Sequence, residues 1–245
     1  MRLDVYLTEK GICRSRSAAQ QLINLGGVIV NGRTAVKNSL EIADSDAVEI
    51  AELMLPKYVG RGGQKLEKAL ELWSIDLGGK TCLDIGSSTG GFTDCMLQNG
   101  AARVFAVDVG SNQLHEKLRA DERVISLEQT DIRDFSFADY DISAAEFIGT
   151  DVSFISLKLV LPHIYRLLAE DGTAVALIKP QFEAGRGSLS KKGIVRSESV
   201  RLRCVEEIKE FAEQCGFAVI GTSVSPITGG DGNVEYLLGL RKERQ

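Results

Sequence analysis

The sequence predicts an α/β protein in which a doubly wound, mostly parallel sheet of seven strands follows a small N-terminal α+β module. Three observations carry that prediction. The stretch Cys82-Leu-Asp-Ile-Gly-Ser-Ser-Thr-Gly-Gly-Phe-Thr-Asp94 reads as a buried strand, a glycine loop and a helix start. That is how α/β sheets open a ligand crevice at the carboxyl ends of their strands. Strand and helix patterns alternate from there onward, as in βα units. Ahead of them, residues 1–52 carry two short helix patterns and the dipeptide Asn31-Gly32, the strongest short-range hairpin signal.

Taken in order, Leu3–Thr8 opens a short helix. Ser15 or Ser17 then caps a second helix over Ala18–Ile23, which Gly26-Gly27 stops. Val28–Val30 and Thr34–Val36 flank Asn31-Gly32 as a hairpin with a type I′ turn. Residues 53–63, with a proline and glycines, read as a linker. Gln64–Trp73 places Leu66, Leu70 and Trp73 at helical spacing, an amphipathic helix entering the second domain, 64–245. Strands are expected near Thr81–Ile85, Arg103–Asp108, Val124–Gln129, Phe147–Asp151, Thr173–Lys179, Phe217–Ser225 and Val234–Arg241. Helices are expected over Leu157–Leu168 and Ser199–Cys215. The last two strands are joined by Pro226–Asn233, too short for a helix, so they should pair antiparallel.

Composition narrows the function classes. A chain of 245 residues, 44% hydrophobic and 26% charged, has an ordinary globular make-up with ample core. No apolar run is long enough to span a bilayer and Met1-Arg-Leu-Asp-Val opens no secretory pattern, so no membrane role is expected. Five cysteines without a C-x-x-C pair, beside two histidines, argue against a disulfide framework and a zinc site, and fit a reducing cytoplasm. Net charge is −5, yet Met1–Lys37 holds six basic residues (Arg2, Lys10, Arg14, Arg16, Arg33, Lys37) against two acidic ones. A basic end on an acidic chain is an electrostatic footprint for phosphates.

Several residues carry chemistry. Gly86-x-x-x-Gly90-Gly91 departs from the dinucleotide spacing G-x-G-x-x-G, which disfavours a nicotinamide oxidoreductase. Asp84, Gly86, Ser87, Gly90, Gly91 and Phe92 form the loop and helix start at a ligand. Asp108 ends the second strand, where a carboxylate accepts the ribose hydroxyls of an adenosyl cofactor. Asp131 follows the third strand and reads equally as an adenine contact or as an ordinary loop aspartate. If the topology holds, Asp151, Lys179 and Glu235 meet at one sheet edge, within reach of Lys65. Two lysines and two carboxylates around one pocket mark a site. Glu183–Arg196, with Arg186, Lys191, Lys192 and Arg196 among glycines and serines, reads as a mobile lip over RNA or as a solvated loop.

Four resemblances follow from these residues. RLDVYLTEKGICRSRSAAQQLINLGGVIVNG resembles the S-four-type RNA-binding domain, which implies that Arg2, Arg14, Arg16 and Lys37 face RNA phosphates; the alternative is a solvated helix face. The glycine motif with Asp84 resembles the first motif of S-adenosylmethionine (SAM) methyltransferases. Lys65, Asp151, Lys179 and Glu235 resemble the Lys-Asp-Lys-Glu tetrad of FtsJ-like RNA ribose 2′-O-methyltransferases. With GRGGQKL, AVDVGSNQL, DVSFISL, LIKPQFEAGR and GNVEYLL, the whole chain resembles the TlyA family, known both as haemolysin A and as rRNA 2′-O-methyltransferase. The resemblance implies a Rossmann-like SAM-methyltransferase sheet, SAM as cofactor without a metal, and cytidine ribose in small- or large-subunit rRNA as substrate. Ribosomal subunits are then the partners, with no obligate protein partner expected. Asn112 and Asp131 depart from that pattern, which has glycine and asparagine there. Two other classes stand beside this one: an RNA-binding assembly factor with a vestigial catalytic domain, against which the intact tetrad speaks, and the lytic activity of the haemolysin name, for which no strongly basic amphipathic segment is present.

Overall fold

The structure, a computed structural model, describes residues 1–13, 15–51, 57–229 and 232–244, and of Arg186 the backbone. Its chain divides into two compact units, Met1–Lys57 and Tyr58–Gln245.

In the first unit, α1 (Leu3–Glu9) and α2 (Arg16–Asn24) precede a sheet of β1 (Val28–Val30), β2 (Arg33–Thr34) and β3 (Val48–Ile50). Ser15 caps α2 by accepting the Ala18 N–H at 3.2 Å. Asn31 and Gly32 both take positive φ, +50° and +75°, the backbone a type I′ turn requires. The second hairpin strand starts one residue earlier than the pattern suggested and spans only two residues. Strand β3 was not visible in the sequence. It pairs antiparallel with β1, and Asn31 ties it on by bonding Asp46 Oδ1 at 2.8 Å and accepting the Ala47 N–H at 2.9 Å. Leu3, Leu7, Ala19, Ile23 and Val28 fill the small core.

The second unit holds seven strands in the order β6-β5-β4-β7-β8-β10-β9. They are β4 (Thr81–Ile85), β5 (Arg103–Val107), β6 (Val124–Leu127), β7 (Ala145–Thr150), β8 (Leu168–Ile178), β9 (Phe217–Val224) and β10 (Tyr236–Lys242). The β4–β5, β5–β6, β4–β7 and β7–β8 pairs are parallel, and β10 runs antiparallel to both β8 and β9. Helices α3 (Gly62–Leu72), α4 (Gly91–Gln98), α5 (Glu116–Arg119), α6 (Leu161–Leu167), α7 (Pro180–Glu183) and α8 (Glu198–Gln214) flank the sheet. Helix α6 is shorter than expected because Pro162 starts it and residues 157–159 form a 3-10 turn. Side chains alternate across the pleat. Leu83 and Ile85 enter one core with Phe105, while Cys82 joins the other with α3 and α4. The Cys82 thiol, pushed up to about 12 by burial, behaves as a packed apolar group.

Residues 58–63, which the sequence reads as linker, fall in this second unit. Tyr58 is buried against Gly63, where a Cβ would collide with its ring, and the Val59 N–H donates to Asp94 Oδ2 at 2.8 Å. Arg14 and residues 52–56 lie outside the described residues. Among the described residues no helix is long and apolar enough to cross a membrane.

The irregular segment after β6 is ordered by aromatic packing. Phe137 and Tyr140 meet the Phe105 ring edge-on, with centroids at 5.2 and 4.9 Å. Truncating Phe105→Ala should therefore cost about 3–5 kcal/mol of stability, read from the denaturant midpoint; an unchanged midpoint would contradict this packing.

Candidate active site

Strand register assembles the site. Ile85, the last residue of β4, lies opposite Val107 of β5 and Thr150 of β7, and Ile178 of β8 lies opposite Tyr236, the first residue of the antiparallel β10. Asp108, Asp151 and Lys179 each come one residue after such a strand end, and Glu235 one residue before β10. Reversal of the last strand thus brings its start to the edge where the parallel strands finish. Lys65 reaches the same edge from the first turn of α3.

The four charged groups meet there. Lys65 Nζ stands 2.7 Å from Glu235 Oε2 and 3.1 Å from Asp151 Oδ2. Lys179 Nζ stands 2.6 Å from Asp151 Oδ1 as an ion pair without hydrogen-bond alignment, and donates to Ser153 Oγ at 2.8 Å. Lys65, Lys179 and Glu235 are each at most 7% exposed. Two ammonium and two carboxylate groups balance in charge, so their burial is tolerable as a set. A cavity of about 360 Å³ opens over them, lined by Lys65, Lys179, Glu235, Arg61 and Phe154.

The glycine loop adjoins this cluster. Gly86 has φ +81°, and a Cβ there would stand 3.0 Å from the Asp151 carbonyl oxygen. Gly90, at φ +96°, caps α4 and turns toward Leu114 and Leu118, while Gly91 approaches the backbone of Gly60, Gly62 and Gly63. Ser87 and Phe92 are buried. Asp84 accepts both the N–H and the hydroxyl of Thr93 on Oδ2, at 2.9 and 2.6 Å. Among the described residues its Oδ1 is buried without a partner. Burial pushes this carboxyl up to about 7, against the two Thr93 hydrogen bonds and with Asp151 and Asp108 adding to the rise.

Asp108 accepts the Ser88 N–H at 2.8 Å and the Gly110 N–H at 2.7 Å. It borders a cavity of about 420 Å³ with Gly86, Ser88, Val107, Ile132 and Asp131. Asp131 reaches that cavity but commits its carboxylate to Arg133, at 2.6 Å, whose hydrogen bonds hold it down at about 2. A third cavity, about 200 Å³, shares Gly86, Asp151 and Ser153 with this one and Gly62, Ser153 and Lys179 with the one over the lysines. The cavity beside Asp108 therefore adjoins the charged cluster, with Asp151 and Ser153 in its lining.

Basic residues expected at RNA fare differently. Arg2 and Arg16 both bond the buried Asp4 and remain partly exposed. Lys37, Lys191 and Lys192 are exposed. Arg14 lies outside the described residues, as does the Arg186 side chain. The loop expected as a mobile lip is anchored at both ends. Glu183 accepts from Ser156 Oγ at 2.6 Å and from the Leu157 N–H at 2.9 Å. Asn233 accepts the Val195 N–H at 3.0 Å and donates to the Gly193 carbonyl at 3.1 Å.

Sequence reasoning passed over Thr93, Ser88, Ser153, Phe154 and Asn233 as individuals, although each sits in a motif it singled out. Phe154 is the most telling: 92% exposed at φ +62°, it borders both the cavity over the lysines and the one beside Asp108, its ring 5.2 Å from that of Phe182. Among the described residues no group of histidine, cysteine or acidic side chains is arranged to hold a metal ion.

Comparison with known proteins agrees with this geometry. Residues 58–242 match the family of FtsJ-like methyltransferases, and residues 1–48 match the S4 domain. The chain is 44% identical to Hemolysin A of Brachyspira hyodysenteriae, over 97% of its own length and 98% of that protein. It is 40% identical to the 16S/23S rRNA (cytidine-2'-O)-methyltransferase TlyA of Mycobacterium tuberculosis, over 99% and 90%. Among solved structures, a Streptococcus thermophilus protein provisionally named a hemolysin is 43% identical with a TM-score of 0.76, covering 100% of this chain and 89% of that one.

The raised Asp84 carboxyl has a measurable consequence. Its ordinary value is 3.8, so between there and about 7 the folded protein keeps a proton that the unfolded chain has lost. The stability this contributes is full below pH 3.8 and fades as pH rises toward about 7. Replacing Asp84→Asn should remove that part of the slope in denaturant titrations across the window; an unchanged slope would contradict it.

Proposed function

Because the chain belongs to the FtsJ-like methyltransferase family and carries an S4 domain ahead of the catalytic unit, we propose that it methylates the ribose 2′-hydroxyl of cytidine in ribosomal RNA, with SAM as donor. One observation carries this reading: Lys65, Asp151, Lys179 and Glu235 cluster beside a cavity that shares lining residues with the one beside Asp108.

The residues present fit SAM. Among the described residues Asp84 Oδ1 is a buried acceptor lacking a partner, directly behind the glycine loop. The Asp108 carboxylate faces a cavity walled by Val107, Ile132 and Val152, which fits a ribose beside an apolar base. The positive φ of Gly86 lets the backbone come close to whatever lies there. When bound, SAM supplies an already activated methyl group on a sulfonium. The chain's work is then placement, since holding two reactants in line is worth about 7–11 kcal/mol of barrier.

In this reading Lys179 orients the ribose hydroxyl, and it must first give up its own proton before it accepts the one released as the methyl group is taken up. Asp151 and Ser153 hold the Lys179 amine; Lys65, clamped by Asp151 and Glu235, holds Asp151. The exposed Phe154 ring offers a face on which an unstacked base can lie. Exposed Lys191 and Lys192, on a loop anchored through Asn233, supply charge for the RNA backbone. The basic first unit adds RNA affinity, with Arg2, Arg14, Arg16 and Lys37 as its contacts. Ribosomal subunits as substrate place the work in the cytoplasm, and the residues invoked need no metal.

Lys179→Ala should lower turnover by about 10²–10⁴-fold while SAM binding, measured by calorimetry, persists. Lys179→Arg should be similarly poor, because a guanidinium keeps its proton. Near-normal turnover in either variant would remove Lys179 from the reaction.

A further inference from the structure

In the first unit, one carboxylate organises two of the basic residues. Asp4 sits in the first turn of α1 with its side chain 0% exposed. It accepts Arg2 Nε at 3.0 Å and Arg2 Nη2 at 3.1 Å. From across the unit it accepts Arg16 Nη2 and Gln20 Nε2, each at 2.9 Å. The guanidiniums stay outside, their side chains 43% and 55% exposed. The pairing spends two N–H groups of Arg2 and one of Arg16, and a guanidinium carries five.

We propose that Asp4 is a positioning residue that joins Arg2 and Arg16 into a preformed fork for RNA phosphate. The inference rests on reading the first unit as an RNA-binding module. An anion that meets two free arginines must immobilise both, whereas here their rotamer freedom is already spent on folding. Bidentate capture also needs the planes of the guanidiniums held at a set angle, and a buried acceptor between them does that. Gln20, on the same helix as Arg16, completes the acceptor's shell and adds no charge.

Charge alone makes the opposite forecast. Asp4 is negative and lies beside the proposed phosphate, so removing its charge should tighten RNA binding by simple Coulomb attraction. Positioning says that removal weakens it. The test uses the full chain and a labelled ribosomal RNA transcript, titrated by fluorescence anisotropy over a range of salt. Asp4→Asn should weaken binding by about tenfold or more and make its salt dependence shallower, since fewer counterions are released. SAM affinity should stay unchanged and circular dichroism should keep its helix signal. Equal or tighter RNA binding by a folded Asp4→Asn protein overturns the proposal.

If Asp4→Asn unfolds the unit, Arg16→Lys decides, because it keeps a cation opposite Asp4 and removes only the fork. Arg16→Lys binding as weakly as Arg16→Ala supports positioning; wild-type affinity in Arg16→Lys overturns it. The double replacement Arg2→Ala with Arg16→Ala separates the two layers. Unchanged RNA binding there removes the RNA-contacting role of this surface, and the fork with it. Weak binding there beside normal binding in Asp4→Asn and Arg16→Lys removes the fork alone.

Discussion

The catalytic unit turns on one electrostatic constraint: four largely buried charged side chains lie together beneath one cavity and must neutralise one another. Glu235, 3% exposed, is compensated by Lys65, and Asp151 is compensated by Lys65 and Lys179 together. None of these groups is tolerable alone at such burial, because an unpaired charge there loses its hydration without replacement. The cluster exists only if three separate strand ends and one helix start arrive at the same place. The reversed β10, in register with β8, meets that requirement for Glu235. The close glycine contacts between Gly91 and the backbone of residues 60–63 bring α3, and so Lys65, against α4.

The same edge that neutralises charge also shapes the ligand space. Gly86 lies 3.0 Å, counted from a would-be Cβ, from the Asp151 carbonyl oxygen, so the glycine loop and the acidic member of the cluster are nearly in contact. A side chain at position 86 would press on the Asp151 backbone and the Val152 side chain. Behind the loop, Asp84 is held by Thr93 from α4, and beyond it Asp108 organises the following turn through the Ser88 and Gly110 N–H groups. Asp84 is thus tied to α4 and Asp108 to the glycine loop, each by its own hydrogen bonds.

Much of this was legible from residues. Alternation of strand and helix, the glycine motif and the short Pro226–Asn233 connection sufficed to place Asp108, Asp151, Lys179 and Glu235 at one edge, because strand ends follow from topology once direction is known. What remained hidden depends on tertiary contacts. Strand β3 has three residues and forms because Asn31 and Asp46 hold it to the hairpin, a pairing no local pattern announces. Tyr58–Gly63 looks like linker by composition, yet Tyr58 is drawn into the core against Gly63. The loop after α7 is rich in glycine and serine and reads as mobile; Glu183 and Asn233 anchor its ends through partners 26 to 27 and 38 to 40 positions away. Phe154 carries no periodicity, and only its exposure and positive φ at the junction of two cavities mark it.

The central claim is that the charged cluster delivers a methyl group to a ribose oxygen and not to a base. The most direct measurement incubates ribosomal subunits with the protein and methyl-labelled SAM, then hydrolyses the recovered rRNA in alkali. Alkaline cleavage needs a free 2′-hydroxyl, so ribose methylation leaves the label in alkali-resistant dinucleotides, and a cytidine at their 5′ position is the predicted result. Label recovered in mononucleotides as a methylated base would contradict the account.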